Sequence, residues 1–249
     1  MSSVSELKRP VPAERQVRVE LAAFYRLVEH LGWGEGIYNH IAARVPEEPH
    51  SFLVKQHELF YGEVTASSLV KVDSRLDLDE RAGVNKVAYT THAAVMRGRP
   101  DVNCSIHLHT IPIMAIAAHP KGLRMLHQYA TRFYNKIAYD PFQLFAESVD
   151  VQQNLINALG SNRVLVMRNH GALIVGTSIE DTFTSLYRFV LCCKTQLAIE
   201  ASGQDAIEIK PEDCLESAKQ FELHDAGRGT ADWPGWLRLA ERIAPDFKN

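Results

Sequence analysis

Three histidines, His107, His109 and His170, are the residues whose types and spacing could hold a metal ion. The first two are separated by one residue, and in a β-strand this spacing puts both imidazoles on one face, about 7 Å apart along the chain. Histidine is the commonest ligand of catalytic divalent metals, and three protein ligands leave a coordination position open for a substrate. Two histidines on a strand are more often surface residues, so the pair needs support from other features.

The elements that would position these histidines follow from hydrophobic periodicity. Residues 102–109 alternate apolar and polar side chains, which predicts a half-buried strand with both histidines on its polar face. Residues 163–168 and 172–176 read as two short strands around a turn at 169–171, so His170 lies in a hairpin corner. There Gly171 lets the backbone approach closely, which makes His170 the natural third ligand.

Three helices are also predicted. Apolar residues recur at helical spacing over 17–31 and over 179–197, and residues 84–97 suit a helix that the breakers Gly98 and Pro100 end. Thr177 and Glu180 form a capping-box pattern at the start of the third helix. The whole chain, 1–249, is expected to form a single domain, with an N-terminal arm over 1–14. A C-terminal tail over 204–249 is expected to pack on the domain or on a neighbouring subunit.

Composition excludes several classes of function. The 249 residues carry a formal charge of −3 with both signs intermixed, so no basic stripe for nucleic acid is expected. No apolar run reaches the roughly 18 residues that a membrane span requires. The four cysteines show no CxxC pair, and the N-terminus lacks the apolar core of a signal peptide, which predicts a cytoplasmic protein with no membrane partner.

Four motifs occur in an order and spacing that resemble the class II aldolase/adducin family. They are GWGEGIYNHIAARV (32–45), EVTASSLVKVD (63–73), RPDVNCSIHLHT (99–110) and MRNHGALIVG (167–176). The resemblance runs over residues 15–203, and the 61 positions between His109 and His170 equal the separation of the family's metal ligands. The motifs FYRL and IYNHI, together with AGVN at 82–85, resemble the head domain of adducin more than they resemble the aldolases.

The resemblance implies an α/β fold, a three-layer α/β/α sandwich around a mostly antiparallel central sheet. It also implies a homotetramer with active sites near subunit interfaces. One divalent metal ion per subunit is expected, Zn²⁺ first, with Mn²⁺, Fe²⁺ or Co²⁺ as alternatives. In the sugar-phosphate aldolases of the family Zn²⁺ polarises the substrate carbonyl. Asn39 matches an asparagine of the family's anion pocket, and Asn85 is predicted to bind substrate beside it.

The segment before the HxH strand departs from the aldolase pattern. Where those aldolases place Pro-Ser-Ser-Glu, this chain has Asn85, Lys86, Val87 and Ala88. Alanine cannot transfer a proton, and the hydroxyls that bind phosphate are missing. The departure disfavours a sugar-phosphate aldolase and favours a reaction, such as decarboxylation, that needs a Lewis acid and one proton donor.

The segment LHQYATRFYNK (126–136) supplies candidates for that donor, His127 and Tyr134 first and Tyr129 beside them. For any single tyrosine, a core or interface role is the commoner one. His40, next to Asn39, reads equally well as a structural hydrogen-bond partner.

Three functions therefore stay open. The first is a metal-dependent lyase, a decarboxylase or aldolase, that acts on a small non-phosphorylated carboxylate or carbonyl substrate. The second is a non-haem metal oxygenase, because three neutral histidines with vacant positions also suit Fe²⁺. The third is a non-catalytic interaction module of the adducin type.

Overall fold

The computed structural model describes residues 12–142, 149–228 and 231–249. Most of the predicted N-terminal arm therefore lies outside the described residues. The strands are β1 (His40–Val45), β2 (Glu48–Val54), β3 (Val70–Asp73), β4 (Cys104–Leu108), β5 (Ile137–Asp140), β6 (Val164–Met167) and β7 (Gly171–Gly176). The helices are α1 (Pro12–His30), α2 (Lys86–Gly98), α3 (Ile111–Ala118), α4 (Val149–Leu159), α5 (Ile179–Ala201), α6 (Pro211–Arg228) and α7 (Trp233–Ile243).

The strands form one seven-stranded sheet in the order β3-β2-β1-β4-β7-β6-β5. Every neighbouring pair is antiparallel except β5 and β6, so the expectation of a mostly antiparallel sheet is confirmed. The predicted hairpin is present, with Met167 paired to Gly171. β4, the strand of the HxH pair, lies at the centre of the sheet between β1 and β7.

Helices pack against both faces of the sheet. On one face, the apolar side chains of β1, β4 and β7 join those of α1, α3, α5 and α7 in one buried cluster. On the other face, β2 packs against α2, and β6 and β7 pack against α2 and α4. Side chains alternate between the faces along a strand, so Ile41 and Ala43 join the first cluster while Ala42 faces α2.

Two local predictions were wrong. β4 is buried along its whole length instead of half-buried, because helices cover both faces at the centre of the sheet. Its polar residues Ser105 and His107 are therefore 0% and 6% exposed. The N-cap of α5 is Ser178 rather than Thr177: the Ser178 hydroxyl accepts from the amide of Asp181 at 3.1 Å, and the Thr177 amide donates to the Asp181 carboxylate.

The C-terminal segment packs on the domain itself. Trp233 and Trp236 of α7 contact the ring of Phe183 on α5, with centroids 5.5 and 5.0 Å apart. The chain end closes against the turn at 65–68, where the amide of Ser67 donates to the carbonyl of Asn249 at 2.8 Å. None of the helices in the described ranges is long and apolar enough to cross a membrane.

Candidate metal centre

The three predicted ligands come from two adjacent strands. His107 is the second-last residue of β4, His109 follows the end of that strand, and His170 lies in the turn between β6 and β7. β4 and β7 are hydrogen-bonded neighbours, with Leu108 opposite Ala172, so the end of one strand meets the turn that begins the other. Asn169 makes this turn possible by adopting a left-handed backbone conformation, φ 57°, which asparagine tolerates well.

The imidazoles converge on one point. One nitrogen from each of His107, His109 and His170 lies within 4.8 Å of the other two, a group that could hold a metal ion. The Nε2 atoms of His107 and His109 are 2.8 Å apart. Two unprotonated imidazole nitrogens repel one another at that distance, and a cation bound by both would remove this repulsion.

The other ring nitrogens fix the tautomers that a metal needs. Nδ1 of His107 is 3.1 Å from the carbonyl oxygen of Ala172, which can only accept, so this nitrogen carries the hydrogen. Nδ1 of His109 likewise donates to the carboxylate of Glu35 at 2.8 Å. Both Nε2 lone pairs are left free for a metal, in the arrangement by which proteins orient metal-binding histidines.

Burial favours the neutral form of two of the ligands, His107 and His170. Desolvation, reinforced by the neighbouring imidazoles, lowers the pKa of His107 well below its usual value, and it lowers the pKa of His170 in the same direction. A metal ligand must be an unprotonated imidazole. The donor set therefore fits a divalent cation.

Gly171 is required by close packing beside these ligands. A Cβ at this position would lie 2.6 Å from Cδ2 of His109 and 2.6 Å from the carbonyl oxygen of Leu108. The carbonyl belongs to the neighbouring strand and cannot move without disturbing the ladder. Glycine therefore allows His109 and β7 to approach as closely as they do.

A small cavity of about 150 Å³ opens beside the histidines. It is lined by Ile37, Tyr38, Asn39, His40, Val54, Lys55, His57, Asn85, Val87, Ala88, His107, His109 and His170. Both predicted substrate-binding asparagines are in this lining. Asn39 is 4% exposed, its Nδ2 donates to Glu35 at 2.9 Å, and its Oδ1 has no hydrogen-bond partner among the described residues.

The start of α2 forms one wall of the cavity. Asn85 is the N-cap of this helix, and its Oδ1 accepts from the amide of Ala88 at 3.0 Å. Val87 and Ala88 follow in the first turn, so the wall has a positive helix end but neither a hydroxyl nor a carboxylate from these residues.

His127 and Tyr134 do not line this cavity in the same chain. They flank a short 3-10 helix, Gln128–Phe133, which packs against α5 and α6. Desolvation lowers the pKa of His127, and its Nε2 is buried with no hydrogen-bond partner in the part of the chain that the structure describes. The ring of Tyr129 packs between Phe221 and the guanidinium of Arg188.

Two polar residues of the site were not singled out from the sequence. Glu35 links His109 to Asn39 through one carboxylate oxygen, and the only local signal for it is its place in a glycine-rich loop. Lys55 is 3% exposed and donates to four backbone carbonyls at 2.7–3.3 Å. Burial lowers the pKa of Lys55 to about 8.

His40 was named from the sequence as a structural hydrogen-bond partner, but its partners, His92 and Ser105, were not singled out. His40 and His92 form a buried chain with Ser105, described below, and only folding brings their three elements together.

Several known proteins are similar to this chain over nearly its whole length. The model of the class II aldolase and adducin N-terminal domain matches residues 19–197. A Caulobacter vibrioides protein provisionally named a class 2 aldolase is 34% identical, over 94% of this chain and 93% of that protein. Alpha-adducin of Rattus norvegicus is 35% identical over 90% of this chain, which spans 31% of alpha-adducin.

Solved structures share the fold. An aldolase II superfamily protein from Pseudomonas syringae superposes with a TM-score of 0.90 at 32% identity, over 97% of this chain and 98% of that one. The L-fuculose 1-phosphate aldolase from Glaciozyma antarctica superposes with a TM-score of 0.82 at 24% identity, over 97% of each chain. At that identity the second likeness concerns the fold alone.

Proposed function

Because the chain belongs to the class II aldolase and adducin family, we propose that it is a metal-dependent lyase that cleaves a carbon–carbon bond in a small, non-phosphorylated carboxylate or carbonyl substrate. The observation that supports this most is the pairing of two features in one cavity. Three convergent imidazoles stand at one end, and the wall where the resemblance to phosphate-using aldolases implies serines and a glutamate consists of Asn85, Val87 and Ala88.

His107, His109 and His170 would hold one divalent ion, and Zn²⁺ suits three imidazoles best, with Mn²⁺, Fe²⁺ and Co²⁺ as alternatives. Such an ion would act as a Lewis acid on a carbonyl or carboxylate oxygen and so accept electron density as a carbon–carbon bond breaks. The protein's part is to orient the imidazoles through Glu35 and the Ala172 carbonyl and to bind the rest of the substrate.

The charges around the cavity favour an anionic substrate. None of the described residues in the lining is acidic, whereas the Lys55 side chain and the positive end of α2 both face this region. We expect the amide groups of Asn39 and Asn85, which line the cavity, to bind a carboxylate or carbonyl oxygen. A volume of about 150 Å³ is below the usual range of ligand pockets, which favours a small substrate.

A proton must reach the carbon from which the bond is broken, and Ala88 cannot supply it. Since His127 and Tyr134 do not line the cavity of their own chain, either could act only in a neighbouring copy. The proposal therefore includes a homotetramer with sites near subunit interfaces. The proposal also includes the family's three-layer α/β/α arrangement, which the helices on both faces of the sheet support.

The test combines metal analysis with a substrate screen. We expect purified protein to contain about one divalent ion per chain, and a panel of small keto- and hydroxycarboxylates to reveal one that releases CO₂ or an aldehyde. His107→Ala should abolish both metal content and activity while the oligomer measured by light scattering persists. Protein that binds no added Zn²⁺, Mn²⁺ or Fe²⁺ would refute the proposal.

A second candidate function is an adducin-like interaction module, favoured by the 35% identity to alpha-adducin and by the missing carboxylate at Ala88. It predicts a folded protein that lacks turnover on every substrate of the panel. Oxygen consumption in the Fe²⁺-loaded protein would instead favour an oxygenase.

A further inference from the structure

A chain of three buried polar side chains leads from the interior of the sheet to the wall of the cavity. Ser105 on β4 and His92 on α2 are both 0% exposed, and His40 on β1 is 7% exposed. The Ser105 Oγ lies 2.7 Å from Nδ1 of His92, and Nε2 of His92 lies 2.8 Å from Nδ1 of His40. Each side chain therefore meets the next at hydrogen-bonding distance.

The direction of the hydrogen bonds follows from the Ser105 hydroxyl, whose hydrogen needs an acceptor. His92 is the only hydrogen-bond partner of the Ser105 hydroxyl among the described residues. If His92 donated to Ser105, the hydroxyl hydrogen would be buried without an acceptor, which is costly. Ser105 therefore donates to Nδ1 of His92, whose Nε2–H donates to Nδ1 of His40. The remaining hydrogen of the His40 ring then lies on Nε2.

That Nε2–H belongs to a ring that lines the cavity and lies beside the ring of His107. His40 lines the cavity, and its Nε2 has no hydrogen-bond partner in the described part of the chain. His40 pairs with His107 across β1 and β4, and their ring centroids are 5.2 Å apart. A protonated Nε2 also cannot bind a cation, so His40 is not a fourth ligand.

We propose that His40 is a catalytic residue that donates a hydrogen bond from Nε2–H to a substrate oxygen beside the metal, with His92 and Ser105 as positioning residues that set its tautomer. The inference rests on the proposed function for the identity of the acceptor, which is a carboxylate or carbonyl oxygen. The ring donates while neutral, so it needs no change of protonation. In this way His40 supplies a polar group to the cavity, whereas the side chain of Ala88 supplies none.

The tautomer can be measured without a metal. Long-range ¹H–¹⁵N correlation spectra of the metal-free protein, with His40 assigned from the spectrum of His40→Phe, should show hydrogen on Nε2 and none on Nδ1. Ser105→Ala should shift the ring toward a mixture, whereas Ser105→Thr, which keeps the hydroxyl, should retain the Nε2–H form. Hydrogen on Nδ1 in the unaltered protein would overturn the proposal, whatever the fate of the proposed function.

Binding of a simple probe tests contact with the ligand. Oxalate titrated into the Zn²⁺-loaded protein should bind about tenfold more weakly to His40→Phe, because a hydrogen bond to a charged oxygen is lost. The affinity for Zn²⁺ itself should stay within about twofold, since His40 is not a ligand; a tenfold loss would contradict that assignment. Ser105→Ala should weaken oxalate binding, and Ser105→Thr should restore it.

Ser74→Ala is the matched control, because Ser74 is also 0% exposed but lies outside the cavity lining. It should bind oxalate as the unaltered protein does. Equal oxalate affinity in His40→Phe and the unaltered protein would overturn the proposal. Failure to bind Zn²⁺ at all would instead overturn the proposed function, while the tautomer measurement would still decide the role of His92 and Ser105.

Discussion

Removing the carboxylate of Glu35 should weaken metal binding without weakening the fold. One oxygen of this carboxylate accepts from Nδ1 of His109 at 2.8 Å and from Nδ2 of Asn39 at 2.9 Å. In Glu35→Ala, Nδ1 of His109 loses its acceptor, so the ring can rotate or change tautomer and present the wrong nitrogen. Loss of such an outer carboxylate typically lowers metal affinity about 10- to 100-fold.

The cost to the fold should be small by comparison. The Glu35 side chain is 51% exposed, and pairs at such positions contribute at most about 1 kcal/mol to stability. Glu35→Gln keeps an acceptor oxygen but loses the charge. Since charge-assisted hydrogen bonds are about twice as strong as neutral ones, its loss of affinity should be intermediate.

Competition with a fluorescent Zn²⁺ chelator near neutral pH would measure the affinities, and urea unfolding of the metal-free proteins would measure stability. Glu58→Ala, an exposed glutamate outside the cavity lining, is the control and should leave both quantities unchanged. The reasoning is refuted if Glu35→Ala binds Zn²⁺ as tightly as the unaltered protein. It is also refuted if the loss of Zn²⁺-binding free energy is no larger than the loss of unfolding free energy in the metal-free protein.

Three further substitutions test the close packing at Gly171, the burial of His92 and the packing of α7 on the domain. Gly171→Ala places a Cβ 2.6 Å from His109, so overpacking should cost about 1–3 kcal/mol of unfolding free energy and weaken Zn²⁺ binding; unchanged values in urea titrations would contradict the geometry. Burial lowers the pKa of His92 to about 3 from an ordinary value of 6.5, so the unfolded chain binds the extra proton between these values. Stability should therefore fall as pH drops from 6.5 toward 3, by up to about 1.4 kcal/mol per pH unit, and His92→Gln should flatten that slope in urea titrations. An equal slope in both proteins would show that His92 is not the group responsible. Trp233→Ala should cost about 3–5 kcal/mol, because the ring is 3% exposed against Phe183; a cost below about 1 kcal/mol by urea unfolding would mean that α7 is not part of the core.

Much of the architecture could be predicted because the local spacing of apolar residues indicates where helices and strands form. Apolar spacing of three and four located α1 and α5, the breakers Gly98 and Pro100 marked the end of α2, and the alternation around His107 located β4. The turn at Asn169 and Gly171 was readable because few residues suit a left-handed backbone or a close approach. These features depend on neighbours within a few residues.

The sequence by itself indicated which imidazoles could bind a metal, and its resemblance to the aldolases implied that Ala88 stands where an acid is expected. Only the tertiary structure decided what surrounds them. Glu35 reaches His109 across 74 residues, and His92 joins Ser105 and His40 from three different elements, contacts that no local pattern records. The burial of both faces of β4 likewise depends on which helices cover the centre of the sheet. Periodicity reports which residues avoid water, whereas hydrogen-bond partners are set by long-range packing.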